Sequence, residues 1–265
     1  MSRSVASRMT AVLLLLWLAA LATPIAAKPI ALSQPFDLSG KRVLVVSMLG
    51  NRAVVYLPAL IGLKPEIGSM PDADMDSLVA EEARRKLESF GAQAQIVEVA
   101  YDFAELYDEG KIARGKITWF KWRAARARAH ALLDQHSADA LLFIGLGAKF
   151  SSEYTPPFIG YGVARQREDV ARITMSQSLF LPGRAEPFVH ATATGARPIA
   201  RVARQIDPAY PTDAEWVAAR PALDDAAGRV TRSLVAEIYD RASSPRGLSK
   251  APWRLRYPYE DGVFR

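Results

Sequence analysis

The chain has 265 residues, half of them hydrophobic and 23% charged, which is the composition of a globular protein rather than a disordered one. It has no cysteine, so disulfides, cysteine nucleophiles and thiolate metal sites are excluded. The formal net charge of +6 falls to +4 without Arg3 and Arg8, a mild basic bias, and only clustered charge marks a polyanion partner.

Residues 1–27 have the three parts of a secretory signal. Arg3 and Arg8 give a positive start, the twelve residues Ala11–Ala22 form an apolar core, and Ala26 and Ala27 end it with small side chains. The core is shorter than the roughly 20 apolar residues of a membrane span. Cleavage is expected after Ala27, with Ala26 the alternative because Ile25 is large for its place. A retained amino-terminal anchor is the other reading. No cysteine follows the cleavage region, so no lipid anchor is expected, and the address implied is periplasmic or secreted.

Residues 28–40 read as an extended lead-in containing Pro29 and Pro35. From Val43, six of seven residues are apolar and only Ser47 breaks the run, which predicts a strand buried on both faces and closed by Gly50. Ala53–Leu57 and Leu60–Leu63 predict an irregular hairpin closed by Pro65 and Gly68. The acid-rich stretch Pro71–Ser77 opens a helix whose apolar stripe is Val79, Ala83, Leu87 and Phe90, with Gly91 as its stop. Ala94–Val99 reads as a strand, and 101–110 as a short helix or loop. A second long helix is predicted over Lys116–His136 with Ile117, Phe120, Ala124, Ala127 and Ala131 as its stripe. Ala138–Gly147 is a second buried strand.

Beyond Tyr154 the pattern turns to partial alternation. Phe158–Val163, Ile173–Leu181 and Pro187–Thr194 predict an antiparallel meander. Residues 208–211 read as a linker. Thr212 caps a helical start, Pro221 restarts it, and Leu223, Ala227, Val230, Leu234 and Ile238 form a clean stripe. The fold class expected is α/β (α+β): a mixed β-sheet with packed helices, an early βαβ-like part, then an antiparallel meander and a carboxy-terminal helix. One domain is expected over 41–242, with a tail at 243–265.

Three pieces, in order, carry a resemblance: Arg42–Gly50, Ala138–Gly145 and Phe188–Gly195. The set resembles a group of exported bacterial proteins that includes the curli-secretion pore lipoprotein and the amino-terminal domain of the Tol-system propeller protein. It is similar also to uncharacterised proteobacterial exported proteins with a Gly-Tyr-Gly-Val-like strand, here Gly160–Val163. The resemblance implies a small α/β fold and no particular activity. Ala191 and Ala193 depart from the group, which often has an Asp before Thr-Gly.

No catalytic constellation stands out. His130 and His136 lie six apart on one predicted helix and do not share a face, and His190 reads as a strand residue, so no metal site is expected. No Gly-x-Ser-x-Gly elbow exists, and Ser47 lies inside a strand. Gly145–Ser151 lacks the spacing of a phosphate loop and reads as a tight turn. Two candidate surfaces remain. If the two buried strands run parallel, the rim beyond their carboxyl ends gathers Asn51, Arg52, Lys149, Ser151 and Ser152, a polar binding edge or an ordinary solvated one. The segment around Trp119 and Trp122 carries Lys121, Arg123, Arg126 and Arg128, which suits an anionic envelope surface or an acidic partner, or else simply forms a basic outer face. The expectation is a non-enzymatic binding or assembly accessory of the cell envelope, without cofactor or nucleic-acid partner and with no membrane span after signal cleavage. The alternative is a small hydrolase or transferase at the rim near Asn51 and Lys149.

Overall fold

The computed structural model describes residues 35–58, 63–70, 74–114, 119–151, 154–165, 169–199 and 211–244, all within the compact unit Gln34–Arg265. The expected signal segment, the linker at 208–210 and the tail beyond 244 lie outside the described residues.

The elements in chain order are β1 Arg42–Ser47, β2 Arg52–Pro58, β3 Leu63–Ser69, α1 Met75–Glu88, β4 Gln93–Ile96, α2 Phe103–Leu106, α3 Glu109–Ile112, α4 Trp122–His136, β5 Ala140–Leu146, β6 Ala148–Ser151, β7 Tyr154–Ile159, β8 Tyr161–Arg165, β9 Asp169–Phe180, β10 Val189–Pro198 and α5 Asp213–Ser243. Eight strands form one mixed sheet, and β6 and β7 form a small second one. The class is α/β, as the apolar runs imply.

The two greasy runs lie side by side. β1 pairs parallel with β5, Val43 opposite Ala140 through Ser47 opposite Ile144, and β4 flanks β1 on the other side, also parallel. Val43–Val46 and Leu141–Ile144 are almost entirely shielded from solvent, because helices cover both faces. On one face α1 packs on β1 and β4, and α5 packs on β9 and β10 and against α1. On the other, Phe143 meets Phe120 at the entrance to α4, and His130 of α4 stands on Phe180.

The sheet forks at β9. β10 occupies one edge of β9 from Val170 to Leu179. The other edge is shared, by β8 along Asp169–Ile173 and by β5 along Met175–Phe180. Thr174 is the fork itself: its carbonyl accepts from Gly147 N at 2.8 Å and its N–H donates to Gly160 O at 2.7 Å. A Cβ at Gly147 would stand 2.7 Å from the Met175 carbonyl carbon, so only glycine lets the β5 exit approach this closely.

Several expectations are corrected. Strand β3 spans Leu63–Ser69, so Pro65 and Gly68 lie inside the strand they were expected to close; β3 ends the sheet path, and an edge strand tolerates a proline. The strand expected over Ala94–Val99 is Gln93–Ile96. Phe158–Val163 is two strands, broken at Gly160 between the small sheet and the large one. Pro221 does not restart α5, a single helix of 31 residues. The carbonyl that Pro221 leaves unpaired belongs to Val217, which is 72% exposed and open to water. Helix α4 starts at Trp122, because Phe120 bridges to Tyr107 and Lys121 N donates to Leu106 O; Ile117 lies outside the described residues. Its buried stripe is Ala125, Ala129 and Leu133, while Ala127 and Ala131 are exposed. Alanines on nearly every side of this helix leave its periodicity without a preferred face.

Candidate functional site

Chain geometry sends β1 out of the sheet at Ser47, and residues 48–51 turn back toward β2 across the rim. Gly50 has φ +75°, and a Cβ there would come 2.8 Å from the Phe103 ring, so the turn requires glycine twice over. Asp76, in the first turn of α1, holds this loop. One carboxylate oxygen accepts from Ser47 Oγ and from Leu49 N, both at 2.7 Å; the other accepts from Gly50 N at 3.1 Å and Tyr101 Oη at 2.8 Å. Four donors match the roughly four lone-pair sites of a carboxylate.

Two further phenols lock the same loop. Tyr107 Oη donates to Met48 O at 2.5 Å and accepts from Leu146 N at 3.1 Å, tying the ends of β1 and β5 together. Tyr161 Oη donates to Gly50 O at 2.6 Å. Burial pushes the Tyr101 phenol far above its ordinary pKa, and the Asp76 charge pushes it further. Burial also drives Tyr107 up. Neither phenol titrates near neutral pH.

Among the described residues, Gly50, Asn51, Asp74, Asp76, Tyr101 and Phe103 line an open depression of about 290 Å³. Asp74 caps α1 by accepting from Ser77 N at 3.0 Å, and its bonds to Ser77 hold its carboxyl below the usual range. Of the lining residues, Asn51 and Asp74 are exposed. Among the described residues no group of three or more His, Asp or Glu side chains could hold a metal ion.

Of the residues singled out from sequence, Asn51 lines the depression. Arg52 opens β2, with Nε 3.1 Å from the Glu109 carboxylate. Lys149 and Ser151 belong to β6, where Lys149 pairs with Phe158 and Ser151 with Tyr154. Ser152 lies outside the described residues. Around α4, Lys121 Nζ donates to Ala104 O at 2.5 Å, Arg126 is ion-paired to Glu186, and Arg128 binds Glu105 at 2.8 Å and Ala100 O at 3.2 Å; Arg123 is exposed. Trp119 is buried against Tyr107 and Phe120, and Trp122 stands edge-on to His190 with centroids 5.2 Å apart.

Sequence reasoning passed over Asp76, Tyr101, Tyr107 and Tyr161. Asp76 reads there as one more acid favouring a helix start, Tyr101 and Tyr107 belong to a segment without periodicity, and Tyr161 reads as an ordinary strand residue. An acid in the first turn facing a strand exit is the one signal available.

No protein-family model matches the chain, and no curated protein sequence matches it. Solved structures similar to it include protein XCC0632 from Xanthomonas campestris, of the family model DUF330, at 18% identity and a TM-score of 0.39, over 78% of this chain and 90% of that one. The PelC dodecamer from Paraburkholderia phytofirmans is similar at 12% identity and a TM-score of 0.37, over 78% of this chain and 94% of that one. Lipoprotein GNA1162 from Neisseria meningitidis is similar at 14% identity and a TM-score of 0.34, over 60% of this chain and 83% of that one. Among the described residues, no helix is long and apolar enough to cross a membrane.

Proposed function

We propose that the protein is a non-enzymatic binding or assembly accessory of the cell envelope, acting in the periplasm or outside the cell, with the rim around Asn51 as its docking surface. One observation carries this reading: the buried and half-buried polar groups that converge on the rim are engaged in holding the loop, Asp76, Tyr107 and Tyr161 through its backbone and Tyr101 through Asp76. A reacting centre keeps a base or nucleophile free to meet substrate. Here Asp76 is saturated by four donors, and Tyr107 and Tyr161 are bonded to main-chain groups. The product of that chemistry is a stiff loop with Asn51 at its tip. The partner favoured is a protein rather than an anionic surface, because Arg126 and Arg128 of α4 are already matched by acids of this chain.

The test is a photo-activatable residue at Asn51 in the exporting host. The expected result is one discrete adduct to an envelope protein, lost when Asp74→Arg reverses the rim's charge. Adducts at Arg123 with none at Asn51 would move the docking surface to α4. Turnover of any ester or peptide substrate that Asp76→Asn abolishes, in a variant that still folds, would replace the binding reading with an enzymatic one.

A further inference from the structure

Among the described residues, the strand β10 is paired on one side only, with β9. Thr174 directs its backbone groups to Gly147 and Gly160, so on β9 the even-numbered residues face the fork and the odd-numbered ones face β10. Through the register, Val189, Ala191, Ala193, Gly195 and Arg197 bond to β9, while His190, Thr192, Thr194 and Ala196 turn their N–H and C=O groups outward. Two outward carbonyls have partners. Arg241 Nη1 donates to His190 O at 2.9 Å, and Arg197 Nη1 donates to Ala196 O at 2.9 Å. The outward groups of Thr192 and Thr194 lie between, and among the described residues no strand lies beyond them. The two capped carbonyls stand three residues either side of Ala193.

Helix α5 runs antiparallel to β10. Arg197 is ion-paired to Asp225, Gly195 lies against Ala226 and Val230, and His190 O meets Arg241. From His190 to Arg197 the strand covers about 23 Å, and from Asp225 to Arg241 the helix covers about 24 Å. The midpoint of the helical stretch, Ser233, therefore stands beside the midpoint of the strand, next to Ala193. The far flank of α5 is taken by α1, through Arg232 to Glu82 and Tyr239 stacked on Phe90. Ser233, exposed, lies on the flank beside the outer edge of β10.

The charges on this flank have a pattern. Reading along the helix they are Asp225, Arg229, Ser233, Glu237 and Arg241, fanned about 40° per step either side of Ser233. Within the chain Arg229 is paired with Asp225 and Arg241 with Glu237, each at 2.9 Å. Under a two-fold axis through Ser233 these pairs interleave with those of the other copy, Arg229 beside its Glu237 and Asp225 beside its Arg241, so every new neighbour is opposite in sign. The same axis through Ala193 sets Thr192 opposite Thr194 of the other copy, each pair exchanging two backbone hydrogen bonds. A helix seated over β9 and β10 is then about 10 Å from its symmetry mate, the normal interaxial distance.

We propose that β10 and the flank of α5 beside it form an isologous interface with a second copy of this chain, joining two sheets edge to edge. The devices that guard a solitary edge are confined to its end: from Val189 to Ala196 the strand carries no lysine, no carboxylate and no proline, and only Arg197 and Pro198 close it. This interface is independent of the rim at Asn51, and either can fail without the other.

The mature chain, exported as it is made, is expected to sediment as a dimer at micromolar concentration. Because the chain has no cysteine, Ser233→Cys is a clean probe: mild oxidation is expected to give a covalent dimer, while Ser77→Cys on α1 gives none. Arg229→Glu is expected to weaken the dimer by about tenfold or more, and adding Glu237→Arg to restore it within about threefold. A chain that sediments as a monomer at about 100 μM overturns the proposal. So does a dimer in which Ser233→Cys cross-links no better than Ser77→Cys, or which Arg229→Glu leaves unchanged.

Discussion

The rim after β1 and the outer edge of β10 are both places where the sheet stops, and they handle backbone polarity in opposite ways. At the rim, Leu49 N and Gly50 N end on Asp76, Met48 O on Tyr107 and Gly50 O on Tyr161. At β10 the outward groups of Thr192 and Thr194 have no strand to meet among the described residues. The rim borders the parallel core, where an unsatisfied donor stays dry and costs its full desolvation. On β10 Thr192 is exposed and Thr194 half-buried, so water can serve their backbone groups. Side-chain atoms that satisfy a backbone also immobilise it, whereas a backbone left to water stays available.

The contrast can be broken most forcefully at Asp76. Asp76→Ala removes the acceptor of four donors and is expected to cost about 2–4 kcal/mol in denaturant unfolding; a loss under half a kcal/mol would show that water replaces the carboxylate and that the rim resembles the edge after all. A second, pH-dependent effect belongs to His190 on β10. Its ring bonds Ser178 at 2.8 Å, lies 3.4 Å from Thr192 Oγ1 and sits under Trp122, and its pKa is lowered to about 4, first by burial and then by Arg241. The unfolded chain therefore binds that proton first, so stability is full above about pH 6.5 and declines as pH falls toward 4, by about 2–3 kcal/mol. Replacing it, as in His190→Gln, is expected to flatten that part of the stability–pH curve, and a slope identical to the parent would refute the assignment.

Smaller effects sharpen the same comparison. Tyr107→Phe keeps the ring stack but strips hydrogen bonds from Met48 O and Leu146 N, for an expected loss of about 1–2 kcal/mol in thermal or chemical melts. Thr192→Lys at the open edge is expected to change folding stability by no more than about 0.5 kcal/mol. It is expected to abolish self-association, and a dimer that tolerates this lysine would place the interface elsewhere.

Much of the frame was legible from residue patterns. The two apolar runs form adjacent buried strands because a segment greasy on both faces has nowhere to go but the middle of a covered sheet. Helix α1 opens in the acid-rich stretch that marks its start, although it ends at Glu88, so that Phe90 lies just beyond it, and Thr212 closes a capping box with Glu215. The stripe of α4 was not legible, because Ala124, Ala125, Ala127, Ala129 and Ala131 offer no contrast between faces. Nor was the role of Asp76, whose partners Ser47 and Tyr101 are 29 and 25 residues away.

The amino-acid sequence by itself determined which segments are buried and which helices start where, because hydrophobic period and caps are local signals that act before the chain is assembled. Only the tertiary structure decided that β9 forks at Thr174, that Asp76 and three tyrosines close the loop after β1, and that the charges of α5 lie beside β10. Each of those depends on long-range pairings, whose register is set by the packing of the whole sheet rather than by any one stretch.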